Sequence, residues 1–121
     1  MIEKACDSNS HWYTGSFNVA NMIPRGAMAC TSHVYDQKVY IHVLYVMGTT
    51  VREMYWDNKW RAGSMKVDCI PGSEAAIVRW GSGSDYDMRF YFQKGEQVTG
   101  ISEWMFSKGD WKAGKLALPP A

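Results

Sequence analysis

The sequence predicts an all-β protein made of β-propeller blades of four antiparallel strands, with about two and a half blades in the chain. Short runs rich in Val, Ile and Tyr alternate with Gly-containing turns, most clearly in residues 39–64, and this composition favours antiparallel hairpins. Helical periodicity is absent throughout the sequence. An internal repeat of about 50 residues built of short strands is typical of propeller blades.

Two sets of residues mark this repeat. A Trp-x-(Ala/Thr)-Gly signature occurs three times, and three glutamates recur at the same interval of about 50 residues. The signature tryptophans are Trp12, Trp60 and Trp111, and the glutamates are Glu3, Glu53 and Glu103. Each unit is therefore expected to hold its glutamate and its tryptophan on neighbouring strands.

The first unit, residues 1–17, is predicted to be half a blade. Two strands are expected on either side of the Asp-Ser-Asn-Ser turn at 7–10, because these residue types favour turns. Residues 18–26 contain Pro24 and Gly26, which interrupt regular structure, so this segment is interpreted as a connector.

The second unit, residues 27–65, is predicted to be a complete blade. The small residues of 27–31 suit an inner strand close to the centre of a radial assembly, and three further strands are expected to follow it. Those strands are 39–46, 50–56 and 60–65.

The third unit, residues 75–118, repeats this pattern after a connector at 66–74 that contains a Pro-Gly pair. The whole chain, 1–121, is expected to form a single propeller segment. The strands predicted in this unit are 75–80, 88–94, 98–106 and 111–118.

Composition and charge exclude several classes of protein. Hydrophobic residues make up 46% of the chain, which is enough to build a core. The formal net charge of +1 gives no basic field for nucleic acid, and no apolar run of about 18 residues is present to insert into a membrane. We therefore expect neither nucleic acid nor a membrane as a partner.

The cysteines and the N-terminal residues bear on cellular location. Three cysteines at irregular spacing argue against a disulfide scaffold and suit a reducing compartment. The first residues, Met-Ile-Glu-Lys, do not form an apolar signal segment. The expected location is the cytoplasm, or outside the cell after release without a classical signal peptide.

The third unit contains residues whose chemistry suits a sugar. Arg89 is predicted on its second strand, Glu103 on its third and Trp111 on its fourth. An arginine fork and a carboxylate can hydrogen-bond sugar hydroxyls, while an aromatic face covers the C–H surface. The structural alternative is a cross-strand ion pair worth about 0.2–1 kcal/mol beside a core tryptophan.

The middle of the chain resembles a known lectin repeat. The pattern Ile-x-Val-x-Tyr … Gly-Thr-Thr-Val-x-Glu-x-x-Trp-Asp-x-x-Trp-x-x-Gly in 41–63 resembles the fucose-specific lectin repeat of fungi and some plant-associated bacteria. Segments 7–17 and 88–95 are similar to blade elements of the same family. The resemblance implies a six-bladed propeller, formed by one long chain or by trimers of two-blade chains. It also implies binding of L-fucose or fucosylated glycans between blades, without catalysis and without a cofactor.

The resemblance implies one pocket for each glutamate, with an arginine from the second strand and aromatic residues from the next blade. Arg89 and Glu103 match the family's arginine and glutamate, but their aromatic wall would come from a further blade. In the middle unit His42 stands at the arginine position beside Glu53. Histidine keeps a hydrogen-bond donor but lacks the guanidinium fork.

The two other pockets are expected to find their aromatic walls within the chain. Phe106 and Trp111 are predicted to cover the Glu53 pocket. Trp56 and Trp60 are predicted to cover the pocket of Glu3, whose cation would have to come from elsewhere. The three pockets are therefore expected to differ, with weak or selective binding.

An incomplete ring also predicts association. Two and a half blades cannot close a ring, and their open sheet edges favour pairing with other strands. The expected partners, besides fucose-containing glycans, are further copies of the chain or a complementing propeller fragment.

Three other functions are alternatives to sugar binding. A glycosidase with Glu53 and Glu103 as its acid and base is disfavoured, because the repeat places them in different blades, too far apart to act on one bond. A propeller scaffold that binds no sugar is the strongest rival, since His42 and Phe106 depart from the family pattern.

A zinc module is the remaining alternative. Cys6-x4-His11 and Cys30-x2-His33 contain ligand types that suit zinc, although their spacing is loose. Cys6 and Cys30 also fall on predicted strands, where a structural role is the simpler interpretation. No metal is therefore expected.

Overall fold

The computed structural model describes residues 1–94 and 100–118, and within them the chain is all-β, as predicted. The described residues form ten strands and contain no helix. No helix among the described residues is therefore long and apolar enough to cross a bilayer. The strands are β1 (Ile2–Cys6), β2 (Trp12–Asn18), β3 (Met28–Tyr35), β4 (Lys38–Met47), β5 (Thr50–Asp57), β6 (Trp60–Asp68), β7 (Ala76–Ser82), β8 (Asp85–Phe92), β9 (Ile101–Ser107) and β10 (Asp110–Leu118).

The strands form three antiparallel sheets in which sequence neighbours are also neighbours in space. The first sheet is β1–β2, the second is β3–β4–β5–β6 and the third is β7–β8–β9–β10. The inner strands β3 and β7 contact each other, so the two four-stranded sheets stand side by side. This order of two, four and four strands is the one that the repeat predicts.

Several strands are longer than their composition suggests. β3 continues past residue 31 to Tyr35, because it stays paired with β4 up to the Tyr35–Lys38 pair and turns through two residues with positive φ, Asp36 and Gln37. β6 extends to Asp68, which pairs with Thr50 in what was expected to be a connector.

The third sheet departs from expectation in two further places. β8 begins at Asp85, three residues before the predicted start, since its hairpin with β7 closes at the Ser82–Asp85 pair. Residues 95–99 and 119–121 lie outside the described residues. The first gap includes the start of the strand expected at 98–106, and the second is the end of the segment expected at 1–121.

Each sheet holds its repeated glutamate opposite an irregularity in the neighbouring strand. The register between β5 and β6 shifts between Arg52 and Met54, so that Glu53 faces extra residues on β6. Equivalent shifts occur between Ile2 and Lys4 and in the β9–β10 pair beside Glu103. A β-bulge re-aims a side chain, and here the same device recurs in all three units.

Two hydrophobic clusters lie between the sheets. A smaller one joins the first and second sheets around Phe17, Val19 and Tyr45. The larger one fills the space between the second and third sheets and is the main core of the described chain. Its buried members are Leu44, Val46, Val51, Met65, Val67, Cys69, Met88, Phe90, Phe92, Phe106 and Trp111.

Candidate functional site

A buried carboxylate, Glu53, lies in the seam between the second and third sheets with only 4% of its surface exposed. One oxygen, Oε1, is 2.8 Å from Nδ1 of His42 on the neighbouring strand. The other, Oε2, accepts a hydrogen bond of 2.9 Å from the indole Nε1–H of Trp111 on β10 and a longer one of 3.5 Å from the Met65 amide. The negative charge is thus held by donors from both sheets, as a buried charge requires.

His42 connects Glu53 to the third sheet. Its Nε2 lies 2.8 Å from the hydroxyl of Tyr86, which β8 presents across the seam. Burial, and then the negative charge of Glu53, raise the pKa of Tyr86 to about 12, so its phenol stays protonated near neutral pH. The carboxylate, the imidazole and the phenol therefore form one hydrogen-bonded chain across two sheets.

The sequence did not identify Tyr86 as part of this site. The signal was the alternation of Tyr86, Met88, Phe90 and Phe92, which places all four side chains on the face of β8 that packs on the second sheet. Because the strand is predicted to begin at Met88, Tyr86 falls outside every predicted strand.

Aromatic rings form the outer wall of this seam. The Phe106 ring lies 5.3 Å from that of Trp111 and is stacked on Tyr86 at 5.4 Å. The cavity between the sheets has a volume of about 520 Å³. Its lining residues include His42, Glu53, Tyr55, Ser64, Tyr86 and Phe106.

The structure therefore brings together the four residues predicted for the Glu53 pocket. Glu53 and His42 come from the second sheet, and Phe106 and Trp111 come from the third. Trp111 does not cover Arg89 and Glu103, as its place in the third unit suggested, because its indole is bonded to Glu53 in the other seam.

Arg89 and Glu103 lie on the opposite face of the third sheet and are more open. Arg89 Nε is 3.8 Å from Glu103 Oε2, beyond hydrogen-bond range, and the two side chains are 25% and 18% exposed. Arg89 donates to the Met88 carbonyl at 3.2 Å, and its guanidinium lies 4.8 Å from the centre of the Trp80 ring. Trp80 was not singled out in the sequence, and it is an aromatic neighbour of this pair.

Tyr91 is the neighbour of Glu103 across the β8–β9 pair. Burial is the main cause that raises the pKa of Tyr91, followed by its hydrogen bond to Glu103 and the charge of that carboxylate. The Tyr91 phenol therefore stays protonated and can donate a hydrogen bond to the Glu103 carboxylate.

The Glu3 pocket is only partly assembled. Glu3 Oε2 accepts a hydrogen bond of 3.3 Å from the Phe17 amide, and the Phe17 ring packs edge-on against Trp60 at 4.6 Å. Trp56 lies 5.6 Å from Trp60, so the predicted aromatic wall is present. In the described part of the chain, however, the buried Trp60 Nε1 has no hydrogen-bond partner, unlike the equivalent nitrogen of Trp111.

The cysteines and histidines with ligand types that suit zinc are divided between sheets. Cys6 is at the end of β1 with His11 just before β2, whereas Cys30 and His33 are on β3. His33 is buried between Tyr40 and Tyr86, with ring centroids at 5.0 and 4.3 Å.

The charge state of His33 follows from that burial. Burial lowers the pKa of His33, and the positive charge of Arg79 and the neighbouring His42 lower it further. Across residues 1–94 and 100–118, no group of three or more His, Cys, Asp or Glu side chains is arranged to hold a metal ion.

Repeated four-stranded meanders, with a carboxylate and aromatic rings in their seams, define the chain as part of a β-propeller. Its family is shown directly: all of residues 1–121 match the model for the fungal fucose-specific lectin, and the chain belongs to that family. The resemblance seen in residues 41–63 is thereby confirmed.

Two curated relatives are fucose-specific lectins of fungi. The protein of Arthroderma benhamiae is 32% identical over 126 residues, covering 100% of this chain and 34% of the relative. That of Aspergillus fumigatus is 30% identical over 129 residues, covering 100% of this chain and 41% of the relative. The chain thus spans well under half the length of the curated relatives it matches.

Solved structures agree with the propeller fold. SapL1 lectin in complex with alpha methyl fucoside superposes with a TM-score of 0.80 at 31% identity, covering 99% of this chain and 40% of that structure. Aleuria aurantia lectin, a six-bladed β-propeller, superposes with a TM-score of 0.71 at 27% identity, covering 86% of this chain and 36% of that structure. The predicted propeller fold, with about two and a half blades in this chain, is confirmed.

Proposed function

We propose that the chain is a lectin segment that binds L-fucose or fucosylated glycans in the seams between its blades and does not convert them. The observation that carries this proposal is the Glu53 seam, where a buried carboxylate and an imidazole stand beside the rings of Phe106 and Trp111. The membership of the family and the fucoside complex of SapL1 lectin support it.

The chemistry of the Glu53 seam suits a deoxysugar. A carboxylate oxygen has two lone pairs, so Glu53 can accept from sugar hydroxyls in addition to its present donors. Phe106 lines the cavity and offers an apolar surface for the C–H face and the methyl group of a 6-deoxysugar. Trp111 is only 6% exposed and holds Glu53 in place through its indole hydrogen bond. The cavity of about 520 Å³ has room for a monosaccharide.

Arg89 and Glu103 form a second pocket of the proposed lectin. Their separation of 3.8 Å leaves both groups able to bond a ligand hydroxyl between them. Arginine supplies several donors in a fixed fork, so vicinal oxygens can be held in one orientation. On these grounds we assign tighter fucose binding to this pocket than to the Glu53 pocket.

The Arg89–Glu103 pocket requires a wall from another blade. The Glu53 wall consists of a register pair, Phe106 and Trp111, on the outer strands of the following sheet. The equivalent pair in the first sheet is Cys6 and Trp12, and Trp12 is 71% exposed. A further copy of the chain, or a complementing propeller fragment, would supply such a tryptophan.

Calorimetric titration with methyl α-L-fucoside tests the function. Saturable binding that is weakened in Arg89→Ala and Glu103→Gln would support the proposal. Methyl α-L-galactoside is a suitable negative control, because it differs only in carrying a hydroxymethyl group where fucose has a methyl group. Binding of neither sugar at millimolar concentration would contradict it.

A scaffold that binds no sugar remains the second candidate. It is favoured by the fact that both oxygens of Glu53 and both nitrogens of His42 already have partners within the protein. The same titration separates the two functions. Turnover of aryl fucosides tests for catalysis, and none is expected because Glu53 and Glu103 face different seams.

A further inference from the structure

The direction of the hydrogen bond between His42 and Tyr86 follows from the tautomer of the imidazole. Nδ1 of His42 faces the Glu53 carboxylate at 2.8 Å, and a carboxylate only accepts, so Nδ1 carries a proton. In the neutral ring Nε2 is then an acceptor, and the Tyr86 hydroxyl donates to it at 2.8 Å. The imidazole therefore has no nitrogen left for a ligand while this bond exists.

Side chains of both sheets pack around the Tyr86 ring in the seam. The ring is stacked on Phe106 with an angle of 22° between the planes, and it lies against His33 at 4.3 Å. The Arg79 guanidinium covers the ring at 5.6 Å. These contacts present the Tyr86 hydroxyl to His42.

Comparison of the two pockets shows what the histidine changes. Arg89, at the equivalent place in the third sheet, is only a donor and stays 3.8 Å from its glutamate. His42 is 2.8 Å from Glu53 and 4% exposed, and in the neutral ring its remaining nitrogen accepts rather than donates. A pocket of this kind needs a ligand hydroxyl that donates, and Tyr86 already supplies one.

We infer that the Tyr86 hydroxyl takes the place of a ligand hydroxyl on His42 Nε2, so that a sugar must displace it to bind in the Glu53 pocket. This inference rests on the proposed fucose binding. It assigns to Tyr86 the role of limiting the affinity of the Glu53 pocket for sugars and of setting which sugars bind in it. A ligand without a suitably placed donor hydroxyl gains no bond to His42 and is rejected.

Tyr86→Phe is the variant that tests the inference, since it removes the hydroxyl and keeps the ring. Methyl α-L-fucoside is titrated by calorimetry against Glu103→Gln, which weakens the other pocket, and against the same protein with Tyr86→Phe added. The expected result is binding about tenfold tighter in the double variant, because an unpartnered buried nitrogen regains its bond only from the sugar. Tyr35→Phe, which removes an exposed hydroxyl elsewhere, serves as the matched control and should change nothing.

Nitrogen NMR of the histidine rings gives a second readout that does not depend on sugar. The His42 Nε2 resonance should move in Tyr86→Phe and stay in place in Tyr35→Phe, while thermal unfolding reports that the variants remain folded. An unmoved resonance, or fucoside binding that is unchanged or weaker in Tyr86→Phe, would overturn the inference while leaving the proposed lectin intact. Absence of fucoside binding in the wild-type protein as well would contradict the proposed function and the inference with it.

Discussion

The Glu53 carboxylate lies directly against Gly63 on the neighbouring strand, where any side chain on residue 63 would collide with it. Gly15 stands in the same relation to Glu3, and Gly114 to Glu103. The glycine of the Trp-x-(Ala/Thr)-Gly signature therefore leaves room for the side chain of the repeated glutamate, because it has no side chain of its own.

Gly63→Ala is expected to destabilise the protein by about 1–3 kcal/mol, because the new methyl group overlaps the Glu53 side chain and forces it out of its site. Chemical denaturation measures this loss. The cost should shrink markedly when Glu53→Ala is combined with it, since the two changes share one contact. Additive costs of the two substitutions would contradict the explanation.

Trp111→Phe is expected to cost more stability than Trp60→Phe, by about 1.5–3 kcal/mol, because only Trp111 donates its indole proton to a buried carboxylate. The two residues hold the same place in their repeats, although Trp111 is buried and Trp60 is half-buried. Denaturant unfolding of both variants checks the difference. Equal costs would show that the bond to Glu53 adds little.

Stability should fall as the pH drops below about 6.5 through the titration of His33. The folded protein lowers the pKa of this histidine from 6.5, so at mildly acidic pH the unfolded chain binds a proton that the native protein does not. The stabilisation is thus present above 6.5 and is lost as the pH falls through the lower folded value. Thermal unfolding of His33→Phe between pH 7 and 5 should show a shallower pH dependence than wild type.

His11 provides the control for that measurement, because its side chain is 82% exposed. His11→Asn should leave the slope of stability against pH unchanged. If His33→Phe shows the same slope of stability against pH as the wild type, groups other than His33 cause the acid sensitivity.

Self-association of the chain should depend on Trp12. If another copy covers the Arg89–Glu103 face as Trp111 covers Glu53, Trp12→Ser should lower the solution mass at a given concentration. Analytical ultracentrifugation measures the change, and Tyr13→Ser, on the other face of the same strand, is the control. An unaltered mass for Trp12→Ser would exclude this contact.

The repeat made the fold predictable from the sequence. Glutamates and signature tryptophans at intervals of about 50 residues, with β-rich runs between them, suffice to indicate blades. The resemblance to the lectin repeat, and not the spacing alone, predicted that Glu53 and His42 share a seam with Phe106 and Trp111, and the structure brings these four residues together.

Details that depend on pairing across the seam could not be obtained in this way. Tyr86 joins the site through a hydrogen bond to a residue 44 positions away, and nothing in its local sequence marks that partner. The bulge that aims Glu53 is likewise a property of the strand pair, since the signature shows only its glycine.

Titration of the 121-residue chain with methyl α-L-fucoside, beside the double variant Glu53→Gln, Glu103→Gln, tests the central claim most directly. The claim that the repeated glutamates hold a deoxysugar predicts saturable binding by the wild-type chain that is lost in the double variant. A wild-type chain that binds no fucoside, or a double variant that binds as well as the wild type, would contradict it.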